Sequence, residues 1–279
     1  MGIDTHALNF LTFVSRKQFL GSVATIGRQH LMVSRFSAVF GSFCEDFLCK
    51  KLGATRVESY DFSGFEGATH LVDMNLPLVS PKQYDTVIDC GCTEHIFNVA
   101  QALKNISGLC APTGQIVHVL PANNFCGHGF WQFSPQLFFS LYSKENGYGG
   151  TEVFLADLRK PREWFQVKPP TDGQRVDVIS SSPLYVMCRT QKTVDACHYS
   201  VQQADYMHAW ANRGAIHEDS PGFMRRAKSI IKRNRASLGL ALALREKARA
   251  VARDVINPSK LSTRNRYLKK HEVAQLLAG

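Results

Sequence analysis

Residues 57–99 hold most of the side chains in this sequence whose types and spacing could do chemistry. Three short apolar runs in this stretch end at, or lead towards, polar residues, namely Asp61, Asp73 and the pair Glu94 and His95. A carboxylate forms charge-assisted hydrogen bonds with the hydroxyl groups of a ligand. A histidine, whose unperturbed pKa is about 6.5, can remove a proton near neutral pH. These residues therefore indicate a site that binds a polar ligand and takes up a proton.

Strands must position these side chains, because each apolar run is short and is bounded by Gly, Pro, Ser or Asp. Ligands of an open α/β sheet bind at the carboxyl ends of its strands, so we expect the polar residues to converge on one crevice. The whole chain predicts strands over residues 23–26, 57–60, 70–72, 86–88, 116–120, 152–158 and 176–190. It predicts helices over residues 4–18, 28–52, 98–109 and 135–146. A loop is predicted over residues 164–173.

The ordered series of motifs over roughly residues 20–190 resembles the class I S-adenosylmethionine-dependent methyltransferases. The resemblance implies an α/β, doubly wound, mostly parallel sheet of seven strands with one antiparallel strand. It also implies S-adenosyl-L-methionine as the cofactor and methyl transfer as the reaction. In the cofactor site it assigns Asp61 to the ribose hydroxyls and Asp73, with Met74, to the adenine. The alternative for both aspartates is that they cap the turns after their strands.

The first motif of this sequence, SVATIGRQ at residues 22–29, departs from the pattern of that family. Gly27 matches the first glycine, but Thr25 replaces the expected acidic residue. Arg28 and Gln29 stand where a glycine-rich turn is expected, and we assign them to the carboxylate of the cofactor. This departure keeps open a second hypothesis, a non-catalytic binding protein on the same fold. The remaining cofactor-site candidates are Phe62 and Cys90.

The acceptor side of the site is assigned to residues further along the chain. Glu94 and His95 are interpreted as facing the reacting methyl group, with His95 as a general base. The alternative is that Glu94 is an acid favoured at the start of a helix and that His95 is its polar neighbour. A loop rich in aromatic and amide groups is predicted to recognise the acceptor through Asn124, His128 and Trp131. One carboxylate beside one histidine does not define a metal site, so no metal is predicted.

The net charge of +10 is concentrated near the end of the chain. Residues 221–279 contain fifteen of the 33 Lys and Arg residues but only three of the 23 acidic residues. The catalytic half therefore carries no basic patch for nucleic acid, and a small molecule or a saccharide is the favoured acceptor. Residues 221–256 predict a basic amphipathic helix that packs on its own domain or contacts an anionic membrane. A nucleic-acid methyltransferase anchored by this helix is the less favoured alternative.

The 279 residues are predicted to form one methyltransferase-like domain at 1–192, a linker or packing segment at 193–220 and a basic helical extension at 221–279. The eight cysteines are scattered and include no CxxC pair, which favours free thiols. No apolar run reaches the roughly 18 residues of a membrane span. The prediction is a cytoplasmic protein, peripheral at the inner membrane surface if the basic helix binds lipid.

Overall fold

The computed structural model describes residues 2–79, 81–171, 175–194, 200–211 and 260–278. The described strands are β1 (Gly2–Ile3), β2 (Gly21–Ile26), β3 (His30–Leu31), β4 (Ala54–Asp61), β5 (His70–Leu71), β6 (Tyr84–Cys90), β7 (Cys110–Asn123), β8 (Tyr148–Asp157), β9 (Glu163–Val167), β10 (Leu184–Lys192) and β11 (Leu268–Glu272). The described α-helices are α1 (Thr5–Lys17), α2 (Ser34–Phe40), α3 (Glu45–Leu52), α4 (Val99–Leu109), α5 (Pro135–Leu141), α6 (Ala204–Ala211) and α7 (Val273–Leu276). A short 3-10 helix covers Thr93–His95.

The main sheet has nine strands in the order β11-β9-β8-β10-β7-β6-β2-β4-β5. The five strands from β7 to β5 are parallel to one another. Strand β10 lies antiparallel between β7 and β8, and β9 lies antiparallel between β8 and β11. The α/β, doubly wound class is confirmed, whereas the prediction of seven strands with one antiparallel strand is wrong. The sheet has nine strands, of which two run against the others.

The two additional strands come from segments that the sequence assigned to other structures. Residues 164–173 were predicted as a loop, but the first of them form most of β9, in which Trp164, Phe165 and Val167 are buried. Strand β11 pairs with β9 and so extends the sheet with the end of the chain. The basic helix predicted at 221–256 lies outside the described residues.

Helices cover both faces of the sheet. The side chains of β7 point to both faces and so pack into two separate core clusters. Ile116 and Leu120 belong to the cluster that includes α4, while Val117 and Val119 belong to the cluster that includes α1. The side chain of Asp4 caps α1 by accepting a hydrogen bond from the Ala7 N–H at 2.9 Å. The side chain of Asn98 caps α4 in the same way.

Residues 28–52 are mainly helical, as predicted, but a short strand and Gly41 divide the segment. The chain forms β3, then α2, which ends at Gly41 with a φ of 88°, and then α3. Gly53 ends α3 in the left-handed conformation, as a glycine after a helix commonly does. Between β4 and β5 the chain makes only a short turn, because the eight residues that connect the strands are too few for a crossover helix.

The seven cysteines in the described ranges are free thiols. In the same part of the chain, no helix combines the length and the apolar character needed to cross a lipid bilayer.

Candidate functional site

The carboxyl ends of β2 and β4 are joined by backbone hydrogen bonds, which places two of the predicted cofactor residues side by side. Gly27 follows β2 with a φ of 73°, a conformation that favours glycine. Its N–H donates to the carbonyl oxygen of Tyr60 at 2.7 Å. The next N–H, that of Arg28, donates to Asp61 Oδ2 at 3.1 Å. The loop after β2 and the acidic end of β4 therefore form one rigid edge.

The Asp61 carboxylate can accept further hydrogen bonds from a ligand at this edge of the sheet. Its other oxygen accepts a hydrogen bond from the Ser63 N–H at 3.3 Å, and its side chain is half-buried. Each carboxylate oxygen offers two lone pairs, so two ligand hydroxyls can still bind. Phe62, the next residue, is 77% exposed. The ribose assignment of Asp61 stays a prediction, with a geometry that permits it.

Arg28 and Gln29 do not present free groups to a ligand. The Arg28 guanidinium donates to Glu45 Oε1 at 2.7 Å and to the carbonyl oxygens of Glu66 and Gly67. Gln29 is 0% exposed, and its amide donates to the carbonyl oxygen of Ile26. The assignment of both residues to the cofactor carboxylate stays a prediction, and in this conformation both side chains hold the loop after β2 in place.

Asp73 and Met74 also have structural roles. Asp73 Oδ1 accepts hydrogen bonds from the backbone and the side-chain amide of Asn75, at 2.9 and 2.7 Å, and so closes the turn after β5. Met74 is 5% exposed and belongs to the core cluster on the α4 face. The turn-capping alternative describes Asp73 better than the adenine assignment, and Met74 lies too deep in the core to offer a ligand surface.

A cavity of about 230 Å³ lies between the amino-terminal segment, the carboxyl ends of β6 and β7, and the amino end of the antiparallel strand β10. Its polar wall combines two carboxylates, a histidine and a phenol, from Asp4, Glu94, His128 and Tyr185. Cys90, one of the predicted cofactor residues, lines the same cavity. Burial raises the pKa of its thiol well above the ordinary value, which makes it a neutral wall residue rather than a nucleophile.

Glu94 is the most unusual side chain in this wall. It is 0% exposed, and within the described part of the chain neither carboxylate oxygen has a hydrogen-bond partner. His128 Nε2 lies 3.4 Å and His95 Nε2 lies 3.8 Å from Glu94 Oε1. Burial, reinforced by the charge of Asp89, raises the pKa of Glu94 to about 8. Such a carboxyl group can exchange a proton near neutral pH.

His95 is the more exposed member of this pair. Its side chain is 40% exposed. Partial burial, followed by the neighbouring His128, lowers its pKa below the ordinary value for histidine, so the imidazole is neutral at neutral pH. The Glu94–His95 pair predicted from the sequence therefore lies beside the cavity, and the catalytic role of both residues stays a prediction.

A buried network that sequence reasoning missed positions Glu94. The carboxylate of Asp89, at the end of β6, accepts hydrogen bonds from the Thr93 N–H at 3.2 Å and the Thr93 hydroxyl at 2.6 Å. The same carboxylate bonds His118 Nδ1 at 2.9 Å, and His118 Nε2 bonds the Tyr142 hydroxyl at 2.6 Å. Asp89 thereby fixes the 3-10 turn that carries Glu94. In the sequence, the one indication of this network is that Asp89 and His118 are polar residues within otherwise apolar strands.

The loop after β7 is fastened directly to the backbone of Glu94. The N–H groups of Phe130 and Trp131 donate to the Glu94 carbonyl oxygen at 2.7 and 3.3 Å. Gly129 has a φ of 71°, and an added Cβ would lie 2.8 Å from Glu94 Cγ and 2.9 Å from its carbonyl oxygen. This close approach brings His128 to the cavity.

We expect Gly129→Ala to displace this loop, because alanine has no room there and its φ would be strained. The amide hydrogens of Phe130 and Trp131, which donate to the Glu94 carbonyl oxygen, should then exchange with solvent at least tenfold faster, as measured by hydrogen exchange. Gly127→Ala is the matched control, since an added Cβ at Gly127 meets nothing within 4 Å. Equal effects of the two substitutions would contradict the packing role of Gly129.

The other acceptor residues predicted in this loop differ in their surroundings. Trp131 is 37% exposed, and its indole N–H donates to the carbonyl oxygen of Ile96 at 3.0 Å, next to the exposed Phe97 and Phe130. The Asn124 amide donates to the carbonyl oxygens of Ser180 and Ser182, each at 2.9 Å. The Asn124 amide thus anchors the loop, whereas the Trp131 ring is partly exposed, and the substrate-binding assignment of both residues stays a prediction.

Comparisons with known proteins give a fold and no more. No family model matches the chain, and no curated protein matches it. Similar solved structures include the N-methyltransferase NodS from Bradyrhizobium japonicum WM9, with a TM-score of 0.39, 12% identity, and coverage of 68% of this chain and 94% of that chain. The likeness is one of fold.

Two further solved structures belong to the same comparison. An O-methyltransferase from a polyketide synthase multienzyme of Brevibacillus brevis, in complex with S-adenosyl-L-homocysteine, has a TM-score of 0.40, 10% identity, and coverage of 66% of this chain and 71% of that chain. TehB from Haemophilus influenzae has a TM-score of 0.42, 13% identity, and coverage of 66% and 61%. The family suspected from the sequence is also that of several similar solved structures. At scores this low, the likeness says nothing about the activity of this chain.

Proposed function

We propose that this chain is an S-adenosylmethionine-dependent methyltransferase that acts on an oxygen or nitrogen of a small-molecule or saccharide acceptor. The observation that carries the proposal is the buried Glu94 carboxylate, which has no hydrogen-bond partner among the described residues and lies at the wall of the cavity. Burying a carboxylate without partners is costly, so such a group is typical of a functional site.

The residues at the ends of β2 and β4 fit this cofactor. Asp61 retains the lone pairs that two ribose hydroxyls need, and the conformation of Gly27 lets the chain turn without a side chain in the way. The cofactor, when bound, supplies a methyl group on a positively charged sulfur. Arg28 is occupied by Glu45 in this conformation, so the assignment of Arg28 and Gln29 to the carboxylate end of the cofactor stays a prediction.

The chain's own residues would then hold the acceptor and take its proton. The walls of the cavity would limit how the acceptor can lie, and positioning of this kind can lower a barrier substantially. As the new bond to carbon forms, the acceptor loses a proton, which the neutral imidazole of His95 or the ionised fraction of Glu94 accepts. Trp131 and the neighbouring exposed aromatics offer a surface on which a sugar or an aromatic ring can lie.

We expect Asp61→Ala to weaken binding of S-adenosylmethionine at least tenfold, about 1.4 kcal/mol, because two charge-assisted hydrogen bonds are lost. Titration calorimetry with the full-length chain measures this affinity. Asp46→Ala is the matched control, since the ion pair of Asp46 in the described part of the chain is with the exposed Lys50. A folded Asp61→Ala protein with unchanged affinity would remove the ribose assignment, and absence of binding to the unmodified chain would remove the proposed function.

A non-catalytic binding protein on the same fold is the second candidate. It is favoured by the first motif, in which Thr25 replaces the expected carboxylate and is buried. Binding of S-adenosylmethionine without turnover on any acceptor panel would favour this candidate. Membrane contact through residues 221–256 stays a prediction from the sequence, as does a cytoplasmic location.

A further inference from the structure

Three side chains that commonly bind metals converge beside the cavity. Glu94, His95 and His128 each offer one ligand atom, and these three atoms lie within 4.8 Å of one another. Glu94 and His95 come from the 3-10 turn after β6, whereas His128 comes from the loop after β7. The sequence predicted no metal because it gave no sign that His128 would join the other two.

The spacing of the three ligand atoms is close to that of a metal site. Ligands about 2.0–2.2 Å from a tetrahedral ion lie about 3.4 Å from each other. His128 Nε2 is 3.4 Å from Glu94 Oε1, and His95 Nε2 is 3.8 Å from the same oxygen. The imidazole rings have centroids 4.9 Å apart and are inclined by 74°. The three ligand atoms all lie within 4.8 Å of one another, and both imidazoles are partly exposed, so they have room to turn inwards by the ångström or so required.

The second observation is the state of the Glu94 carboxylate. It is fully buried, yet both of its oxygens lack hydrogen-bond partners within the described ranges. Glu58 provides the contrast, since it also lies beside a histidine, at 2.9 Å from His70 Nε2. Glu58 is satisfied by Lys82 and Tyr84 in addition. Among the described residues Glu94 has no such hydrogen-bond partners, which leaves its two oxygens open to a cation.

Hydrogen bonds that do not involve the three ligand side chains hold this arrangement. Asp89 fixes the turn that carries Glu94 and His95. The hydrogen bonds from Phe130 and Trp131 to the Glu94 carbonyl oxygen fix the loop that carries His128. The two ligand-bearing segments are therefore fastened to each other, as pre-formed metal sites require.

We propose that Glu94, His95 and His128 bind a divalent first-row transition-metal ion of the zinc type. Two imidazoles and one carboxylate suit such an ion, whereas Mg²⁺ and Ca²⁺ prefer oxygen ligands alone. Three protein ligands leave a coordination position open, as in catalytic zinc sites. Glu94 and His128 line the cavity, so a molecule in that position would lie at the cavity wall. On the proposed function, on which this role rests, the ion would hold the acceptor oxygen and favour loss of its proton.

The test uses the untagged, full-length chain after treatment with a chelator. Titration calorimetry with ZnCl₂ should give one ion per chain, and CoCl₂ should give the visible absorption of a protein-bound cobalt ion. MgCl₂ should give neither heat nor competition with Zn²⁺. His128→Ala, in an exposed loop, and Glu94→Gln should each weaken Zn²⁺ binding at least tenfold. His70→Ala is the matched control and should leave the affinity unchanged.

Absence of stoichiometric Zn²⁺ binding would overturn the proposal, as would equal binding by the unmodified, His128→Ala and Glu94→Gln proteins. If Glu94→Gln does not fold, His128→Ala alone decides the matter. A parallel titration with S-adenosylmethionine in chelator separates the two proposals. Cofactor binding without Zn²⁺ binding removes only the metal site, and Zn²⁺ binding without cofactor binding removes only the methyltransferase.

Discussion

Glu94→Gln is expected to lower the rate of methyl transfer at least about 100-fold, the smaller end of the usual range for loss of an acid–base group. The amide has nearly the same shape as the carboxyl group but neither accepts the acceptor's proton nor binds a cation well. The loss should appear in turnover, while the affinity for S-adenosylmethionine stays within about twofold. Single-turnover methyl transfer to the acceptor measures the effect, and Glu152→Gln, on β8 and paired with Lys17, is the matched control.

The same substitution should make the metal-free protein more stable near neutral pH. The pKa of Glu94 is raised by burial to about 8, against about 4.3 in an unfolded chain. Between these two values the unfolded chain has released the proton and the folded chain retains it. The free energy of unfolding therefore falls by up to about 1.4 kcal/mol for each unit of rising pH. Because glutamine does not titrate, the free energy of unfolding of the Glu94→Gln protein should not show this decrease with rising pH.

Denaturant unfolding of both proteins from pH 5 to pH 8, in the presence of a chelator, measures this difference. We expect the unfolding free energies to diverge with rising pH, in favour of Glu94→Gln. A gain of stability together with a loss of activity is typical of a residue retained for function at a cost to the fold. Parallel pH profiles for the two proteins would show that Glu94 is not held in the buried, unpartnered state described here.

Gly27→Val is expected to abolish binding of S-adenosylmethionine, with a loss of affinity of at least 100-fold. The φ of 73° at this position is strained for any β-branched residue. Relief of the strain would move the Arg28 N–H away from Asp61 and so displace the carboxylate that is assigned to the ribose. Calorimetric titration with the cofactor measures the loss, and circular dichroism should show that most helical signal is retained.

Gly41→Val is the matched control for this experiment. Gly41 also has a positive φ, of 88°, but an added Cβ meets nothing within 4 Å and the residue lies after α2, away from Asp61. The two substitutions should cost comparable backbone strain, on the order of 1–3 kcal/mol. Only Gly27→Val should affect cofactor affinity. A Gly27→Val protein that binds normally would show that the turn after β2 is not the cofactor loop.

The sequence by itself determined the class of fold and the positions where polar residues leave the sheet. Short apolar runs bounded by turn residues are a local signal, and β2, β4, β6 and β7 form where that signal lies. The same local reasoning correctly placed Gly27 in a turn and Asp61 at the end of a strand. It also predicted that Glu94 and His95 follow β6 together. These statements depend only on near neighbours in the chain.

Tertiary structure alone decided which of these side chains are free to act. The sequence does not reveal that Gln29 is buried, that Arg28 is occupied by Glu45, or that Asn124 holds a loop, because each outcome depends on partners distant in the chain. For the same reason β9 and β11 were missed, since their pairing follows from the neighbours that β8 meets at the edge of the sheet.

The meeting of His128 with Glu94 is the clearest case. It requires the loop after β7 to approach the backbone of Glu94 so closely that only Gly129 fits between them. The order of residue types along the chain does not reveal how close the two segments lie, because backbone hydrogen bonds between them set that distance.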